Sequence, residues 1–141
     1  MFKRLRNQRG AALLETAITL PLVLLVSVTI FEFGRAYQTW QVLTNAAREG
    51  ARIAVLEQYT DAQVSTTVRD YLTSGRLSNA AGAGIVVVRN VPFGATTASR
   101  ITVNYPYQFM VLNPVARLVR SGSTVGTPLT MQSSALMRNE Q

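Results

Sequence analysis

Ala11-Ala-Leu-Leu-Glu15-Thr-Ala-Ile-Thr-Leu20-Pro-Leu-Val-Leu-Leu25-Val-Ser-Val-Thr-Ile30-Phe31 is the stretch on which the reading of this chain turns. Its 21 residues are apolar or small apart from one charge, Glu15. As a helix the stretch spans about 30 Å, the thickness of a bilayer's hydrocarbon core. A soluble helix of that length would carry a polar stripe. Here only Thr16, Thr19, Ser27 and Thr29 interrupt the apolar surface, and their hydroxyls can bond back to the helix itself.

The flanks give the helix an orientation. Lys3, Arg4, Arg6 and Arg9 precede it, and Glu32 and Arg35 follow it. Tyr37 and Trp40 lie just beyond, where an aromatic belt would meet the membrane interface. The excess of Lys and Arg before the segment predicts a cytoplasmic N-terminus and places residues 34–141 outside. The formal net charge is +7. Without the four leader cations, ten Lys and Arg remain against seven Asp and Glu, and the remaining Arg are scattered. The basic balance therefore reads as a topology signal, with lipid rather than nucleic acid as partner. A cleaved secretory signal is disfavoured, because the apolar block is long, carries an acid near its start and lacks a small-x-small site after it.

Glu15 admits two readings. A carboxylate in the hydrocarbon costs about 2.5–3.5 kcal/mol on insertion scales, so such residues have partners or functions. Glu15 either sits near enough to the headgroups to stay wet, or it pairs with a positive group on a neighbouring subunit.

Arg9-Gly10-Ala11-Ala12-Leu13-Leu14-Glu15 resembles a type IV prepilin cleavage site. The resemblance implies a short basic leader ending in Gly10, a prepilin peptidase that cuts between Gly10 and Ala11, and a new N-terminal amine as partner for Glu15, the fifth mature residue. A wider match follows. Glu15-Thr-Ala-Ile-Thr-Leu-Pro21, Phe31-Glu32-Phe-Gly-Arg35 and Asn45-Ala-Ala-Arg48-Glu-Gly-Ala-Arg52 together resemble the TadE-like family, minor pseudopilins of the tight-adherence (Tad, Flp) pilus. The resemblance covers about residues 10–56. It implies a part in pilus assembly, with the peptidase, other pilin or pseudopilin subunits and the inner-membrane assembly platform as partners. It also implies residence in the bacterial inner membrane as a single-pass protein. The residues alone would support only a single-pass anchored envelope protein without processing, and that remains the alternative.

Pro21 removes one backbone hydrogen bond inside the apolar helix and frees the Ala17 carbonyl. It is either a tolerated kink or a soft point at which the helix bends on leaving the membrane.

The helix is expected to continue over residues 36–57, with Tyr37, Trp40, Leu43, Ala47, Gly50/Ala51 and Ala54 recurring at helical spacing. The upper part of that stripe, Ala46, Ala47, Gly50, Ala51 and Ala54, is small and admits close approach by another element. Arg48, Glu49 and Arg52 read first as a solvated face with i,i+3 pairing. Their match to the family pattern offers contact with another domain or subunit as the second reading. Glu32 and Arg35 pair at the same spacing and read as interfacial anchors, with the assembly platform as the alternative partner.

Beyond the stalk, Thr60 or Asp61 caps a helix over 62–74 with Val64, Val68, Tyr71 and Leu72 on one face, and Gly75 stops it. A loop is expected over 79–84. Ile85–Val91 reads as a strand ended by Pro92-Phe-Gly94, and Arg100–Tyr107 as a second that alternates, with Pro106 marking an edge or a strand end. A short helical turn from Asn113-Pro114 to Val119, a loop at 121–124 and a third strand over Leu129–Met137 complete the chain. The expected fold class is α+β, a long N-terminal helix followed by one further helix and three antiparallel strands. The expected organisation is a leader at 1–10, a transmembrane helix at 11–33, a stalk at 34–58 and a small outer domain at 59–141.

Chemistry finds no foothold. The chain has no Cys and no His, which removes thiolate and imidazole ligands, cysteine nucleophiles and the commonest general base. No phosphate-cradling glycine loop, nucleophile elbow or acid-rich calcium loop is present. Asp61 and Asp70 read as a cap and a solvated helix residue. The expectation is a non-enzyme without cofactor or metal.

Overall fold

The computed structural model describes residues 8–119 and 126–139. The expected leader, apart from its last residues, and the expected loop at 121–124 lie outside the described residues.

One helix, α1 (Gln8–Ala54, 47 residues), carries both the apolar stretch and the stalk. At 1.5 Å per residue it is about 70 Å long. It runs through Pro21 without interruption. The threonines and the serine of its apolar part bond backward as expected. Thr16 Oγ1 donates to the Ala12 carbonyl at 2.9 Å, Ser27 Oγ to Val23 at 2.9 Å and Thr29 Oγ1 to Leu25 at 2.7 Å. Their polarity is thus absorbed by the helix that carries them.

The helix ends at Ala54 rather than near residue 58, and a turn over 55–59 leads to α2 (Asp61–Ser74). Thr60 is the cap of α2. Its hydroxyl accepts the Gln63 N–H while the Gln63 side chain reaches back to the Thr60 N–H, a reciprocal capping box. Val64, Val68 and Leu72 are buried, whereas Tyr71, expected on the same stripe, points outward and is 39% exposed. Gly75 closes the helix with φ −72°, as the sequence suggested, and Arg76 after it takes the left-handed conformation (φ 59°). Gly75 is needed for space. A Cβ there would stand 2.5 Å from Val42 Cγ1 of α1.

After a single 3-10 turn (Ala80–Gly82) come β1 (Gly84–Phe93) and β2 (Thr96–Tyr107), joined by a tight turn at Gly94 (φ 60°). A short helix, α3 (Leu112–Val119), and then β3 (Leu129–Arg138) follow. The sheet is antiparallel in the order β1-β2-β3. Pro106 therefore belongs to the central strand. It pairs with Thr130 of β3 but lies past Gly84, where β1 has ended opposite Asn104, so its open side faces no ladder.

The fold is two layers, with α1 and α2 laid across one face of the sheet. Its centre is the small stripe foreseen in the sequence. Leu43, Ala46, Ala47, Ala51 and Ala54 of α1 meet Val64, Val68 and Leu72 of α2 and Ile101, Val103, Tyr105 and Tyr107 of β2, all buried. Gly50 is a close approach, since a Cβ there would lie 2.5 Å from Val68 Cγ2 and 3.3 Å from Ile101 Cγ2. The chain is α+β, as its sequence indicated.

Candidate functional site

Two regions of α1 differ in their surroundings. Along the apolar part nothing packs, and its most apolar 18-residue window is wholly uncovered by the rest of the chain. Leu13, Ile18, Leu22, Val23 and Phe31 each stand more than half exposed. A helix that presents so much apolar surface all round fits a membrane span. Length and composition allow it to cross a membrane once.

Gly10 and Ala11 lie in the first turns of this helix, both exposed. Glu15 follows one turn later on the same uncovered surface, and its carboxylate makes no hydrogen bond or ion pair with any described residue. Only its backbone carbonyl is engaged, by Thr19 Oγ1 at 2.9 Å.

The second region begins at Glu32, where α1 enters the head. Glu32 is only 4% exposed. Its Oε2 accepts the Met110 N–H at 2.7 Å and its Oε1 lies 3.2 Å from Arg35 Nη1. The Tyr107 hydroxyl reaches its carbonyl at 3.4 Å. Phe109 packs on Phe33 (centroids 5.7 Å apart) and edge-on against Tyr107 (5.2 Å). Burial pushes the Tyr107 phenol above its ordinary pKa, with the Glu32 and Tyr105 charges adding and the Arg35 charge opposing. Glu32, read from sequence as an interfacial anchor, thus also ties the helix to the β2–α3 segment. Arg35, Tyr37 and Trp40 stay on the outside, with Tyr37 and Trp40 in contact (6.2 Å) on the exposed flank above Phe33.

Of the expected contact face, Ala47, Gly50 and Ala51 are buried in the core, and Arg48 and Arg52 are exposed on the opposite side. Arg52 grips Glu49 with two bonds, Nε to Oε2 at 3.0 Å and Nη2 to Oε1 at 2.7 Å. That hydrogen bonding lowers the Glu49 carboxyl pKa and raises that of the guanidinium.

Sequence reasoning missed Arg89. In β1 it occupies the inward parity of Ile85 and Val87, at a bulge where Arg89 and Asn90 (φ 56°) oppose the single residue between Arg100 and Ala98. The bulge aims the guanidinium at the end of α1. Nη1 donates to the Ala54 carbonyl at 2.8 Å, Nη2 to the Tyr59 carbonyl at 2.6 Å, and Nε to Asp61 Oδ1 at 2.6 Å. Ser99 Oγ, buried beside it, lies 3.3 Å from the same Ala54 oxygen and 2.8 Å from Asn139 Oδ1. The only available signal was a charge at an inward position of an otherwise β-branched strand.

Among the described residues no three His, Cys, Asp or Glu side chains come together as a metal site. The clefts on the head are shallow. The one between α1 and the α2–β1 connection, of about 300 Å³, is lined by Arg35, Arg76, Tyr105 and Tyr107 and holds no carboxylate.

An uncovered helix of membrane length, rooted in a small two-layer α+β head, fits a single-pass membrane anchor. The comparison with known families agrees. The family model described as "TadE-like protein" matches residues 10–52, from the glycine before the apolar stretch to the Arg52–Glu49 pair. That match covers the N-terminal helix and agrees with the resemblance seen in the sequence. No curated protein matches the chain, and no solved structure does.

Proposed function

We propose that this chain is a minor pseudopilin that takes part in assembling a Tad/Flp-type pilus. It sits in the bacterial inner membrane through residues 11–33, with the leader in the cytoplasm and the head outside. A prepilin peptidase cuts after Gly10. The new Ala11 amine and the Glu15 carboxylate then set register against a neighbouring pilin-like subunit, and the inner-membrane platform moves the assembled subunits outward. Pro21 is the soft point at which the helix bends on leaving the lipid. Arg48 and Arg52, turned away from the core, face another subunit. The role is structural rather than catalytic.

One observation carries this reading. Glu15 is the single acid of an uncovered apolar stretch, lies five positions after Gly10, and has no side-chain partner among the described residues. Leaving it unpaired in hydrocarbon costs about 2.5–3.5 kcal/mol, and a cation from a neighbouring subunit removes that cost.

N-terminal sequencing of the protein recovered from its native membrane, with and without an active prepilin peptidase, tests the proposal. The expected mature chain begins at Ala11 when the peptidase is active. A chain that still begins at Met1 or Phe2 overturns processing and leaves an unprocessed single-pass anchor.

A further inference from the structure

We propose that α3 is a membrane-surface helix. Its face of Val115 and Leu118, with Met110 and Val111 just before it, rests in the headgroup region of the same bilayer that the apolar part of α1 crosses. The inference depends on residues 11–31 being a membrane span.

The first argument is sidedness. A short helix on a soluble domain turns its apolar face inward and its polar face to water. In α3 the arrangement is reversed. Asn113 and Arg117, one turn apart, point toward the head, where both donate to the Gly126 carbonyl, Arg117 Nη2 at 2.8 Å and Asn113 Nδ2 at 3.4 Å. Val111, Val115 and Leu118 fall on the other side at the i, i+4, i+7 spacing of one helical stripe. They are left uncovered: Leu118 is 87% exposed, and Met110 just before the helix is 68% exposed.

The second argument is level. The apolar stretch of α1 ends at Phe31, and Glu32 begins the segment that the head covers. The Met110 N–H is bonded to the Glu32 carboxylate, and Phe109 stacks on Phe33. The segment that opens α3 is therefore fixed at the height where α1 leaves the hydrocarbon.

The third argument is charge. Arg35 and Arg117 line the groove between α1 and the start of α3, together with Asn113. Among the described residues no Asp or Glu lines that groove, and Arg35 is also paired with the buried Glu32 carboxylate at 3.2 Å. Guanidinium groups at this height suit lipid phosphates, and a short amphipathic helix with basic residues beside a buried apolar stripe is the form that lies in the interface plane. Lipid is thus the occupant that accounts for the reversed face, its height and its cations together.

The test uses the full chain, which has no cysteine of its own. Leu118→Cys, Val115→Cys, Leu22→Cys in the span and Ala95→Cys in the β1–β2 turn are each labelled with an environment-sensitive fluorophore. The labelled proteins are reconstituted into phosphatidylethanolamine/phosphatidylglycerol vesicles, with and without lipid spin-labelled near the head of the acyl chain. The expected result is blue-shifted emission at 115 and 118 and quenching by spin-labelled lipid several-fold greater than at 95. Quenching at 118 no greater than at 95, while 22 is strongly affected, overturns this inference and leaves the span intact. A blue shift at 118 without lipid quenching means that protein covers the face, and it overturns the inference equally. Loss of the lipid effect at 22 removes the span itself, and the inference with it.

Discussion

The carboxylate of Glu32 and the backbone N–H of Met110, separated by 78 residues in sequence, meet at 2.7 Å. This bond fastens the chain after β2 to the point where the long helix enters the head. Because Glu32 is buried, the two groups have little water to fall back on. Replacing Glu32 by Ala leaves a donor unpaired at a cost of about 1–3 kcal/mol. Glu32→Ala in detergent is therefore expected to unfold at a lower temperature than the unchanged chain. Glu32→Gln, which keeps an acceptor oxygen, should lose less. Equal melting of Glu32→Ala and the unchanged chain would show that the bond contributes nothing.

Arg89 closes the upper end of α1 by binding the Ala54 and Tyr59 carbonyls and Asp61 at once. The Asp61 side chain is 61% exposed, so most of the value lies in the two carbonyl bonds. Hydrogen bonds to a charged donor contribute about 1.5–3 kcal/mol. Arg89→Lys retains the charge but not the planar fork that spans separate acceptors. Both Arg89→Ala and Arg89→Lys should speed amide exchange in the turn at 55–60. Unchanged exchange there in Arg89→Lys would mean that charge alone holds the turn.

Gly50 poses a contest between helix propensity and space. Alanine in a helix interior is favoured over glycine by about 1 kcal/mol. Its Cβ, however, would stand 2.5 Å from Val68 Cγ2, and overpacking of this kind costs about 1–3 kcal/mol. Gly50→Ala should lower the melting temperature, and adding Val68→Ala should recover part of the loss. A stabilised single variant would refute the close approach.

Tyr107 predicts an alkaline limit to stability. Its folded pKa is raised, chiefly by burial, so the unfolded chain releases the phenolic proton first. The stability it contributes is whole below the ordinary tyrosine range and is lost as pH climbs through that range toward the raised folded value. Tyr107→Phe should flatten the alkaline part of a plot of melting temperature against pH. Parallel curves for the two proteins would remove Tyr107 from the account.

Glu15 tests the assembly proposal apart from anchoring. Glu15→Val removes the only charge of the apolar stretch, so insertion should be at least as good as before. Fractionation should find the variant in the membrane, and electron microscopy should find few or no pili. Normal piliation by Glu15→Val would defeat the role given to this carboxylate.

The long helix, the capped helix at 60–74 and the three strands were legible because each is dictated locally. The run from Ala11 to Phe31 has a membrane's length, Thr60 or Asp61 offers a cap, and 101–107 alternates with the period of a strand. The small residues Ala46, Ala47, Gly50, Ala51 and Ala54 also announced a packed face, and the structure fills it with Val68 and Ile101.

Spacing along the chain could not supply the partners of charged groups, because those are set by what lies across the fold. From the sequence Glu32 faced only Arg35, and Arg89 was one more residue of a strand. Folding brought Met110 to the first and the end of α1 to the second. It set Gly75 against Val42 of α1, where a Cβ would not fit, and put the left-handed residue at Arg76. It also turned the polar side of α3 toward Gly126 and left its apolar side bare. By itself the sequence determined which segments are helix, strand and membrane-length, since hydrophobic period and capping act over a few residues. Only the tertiary structure decided which polar groups are paired and which apolar face stays open, since those depend on contacts between residues far apart in the chain.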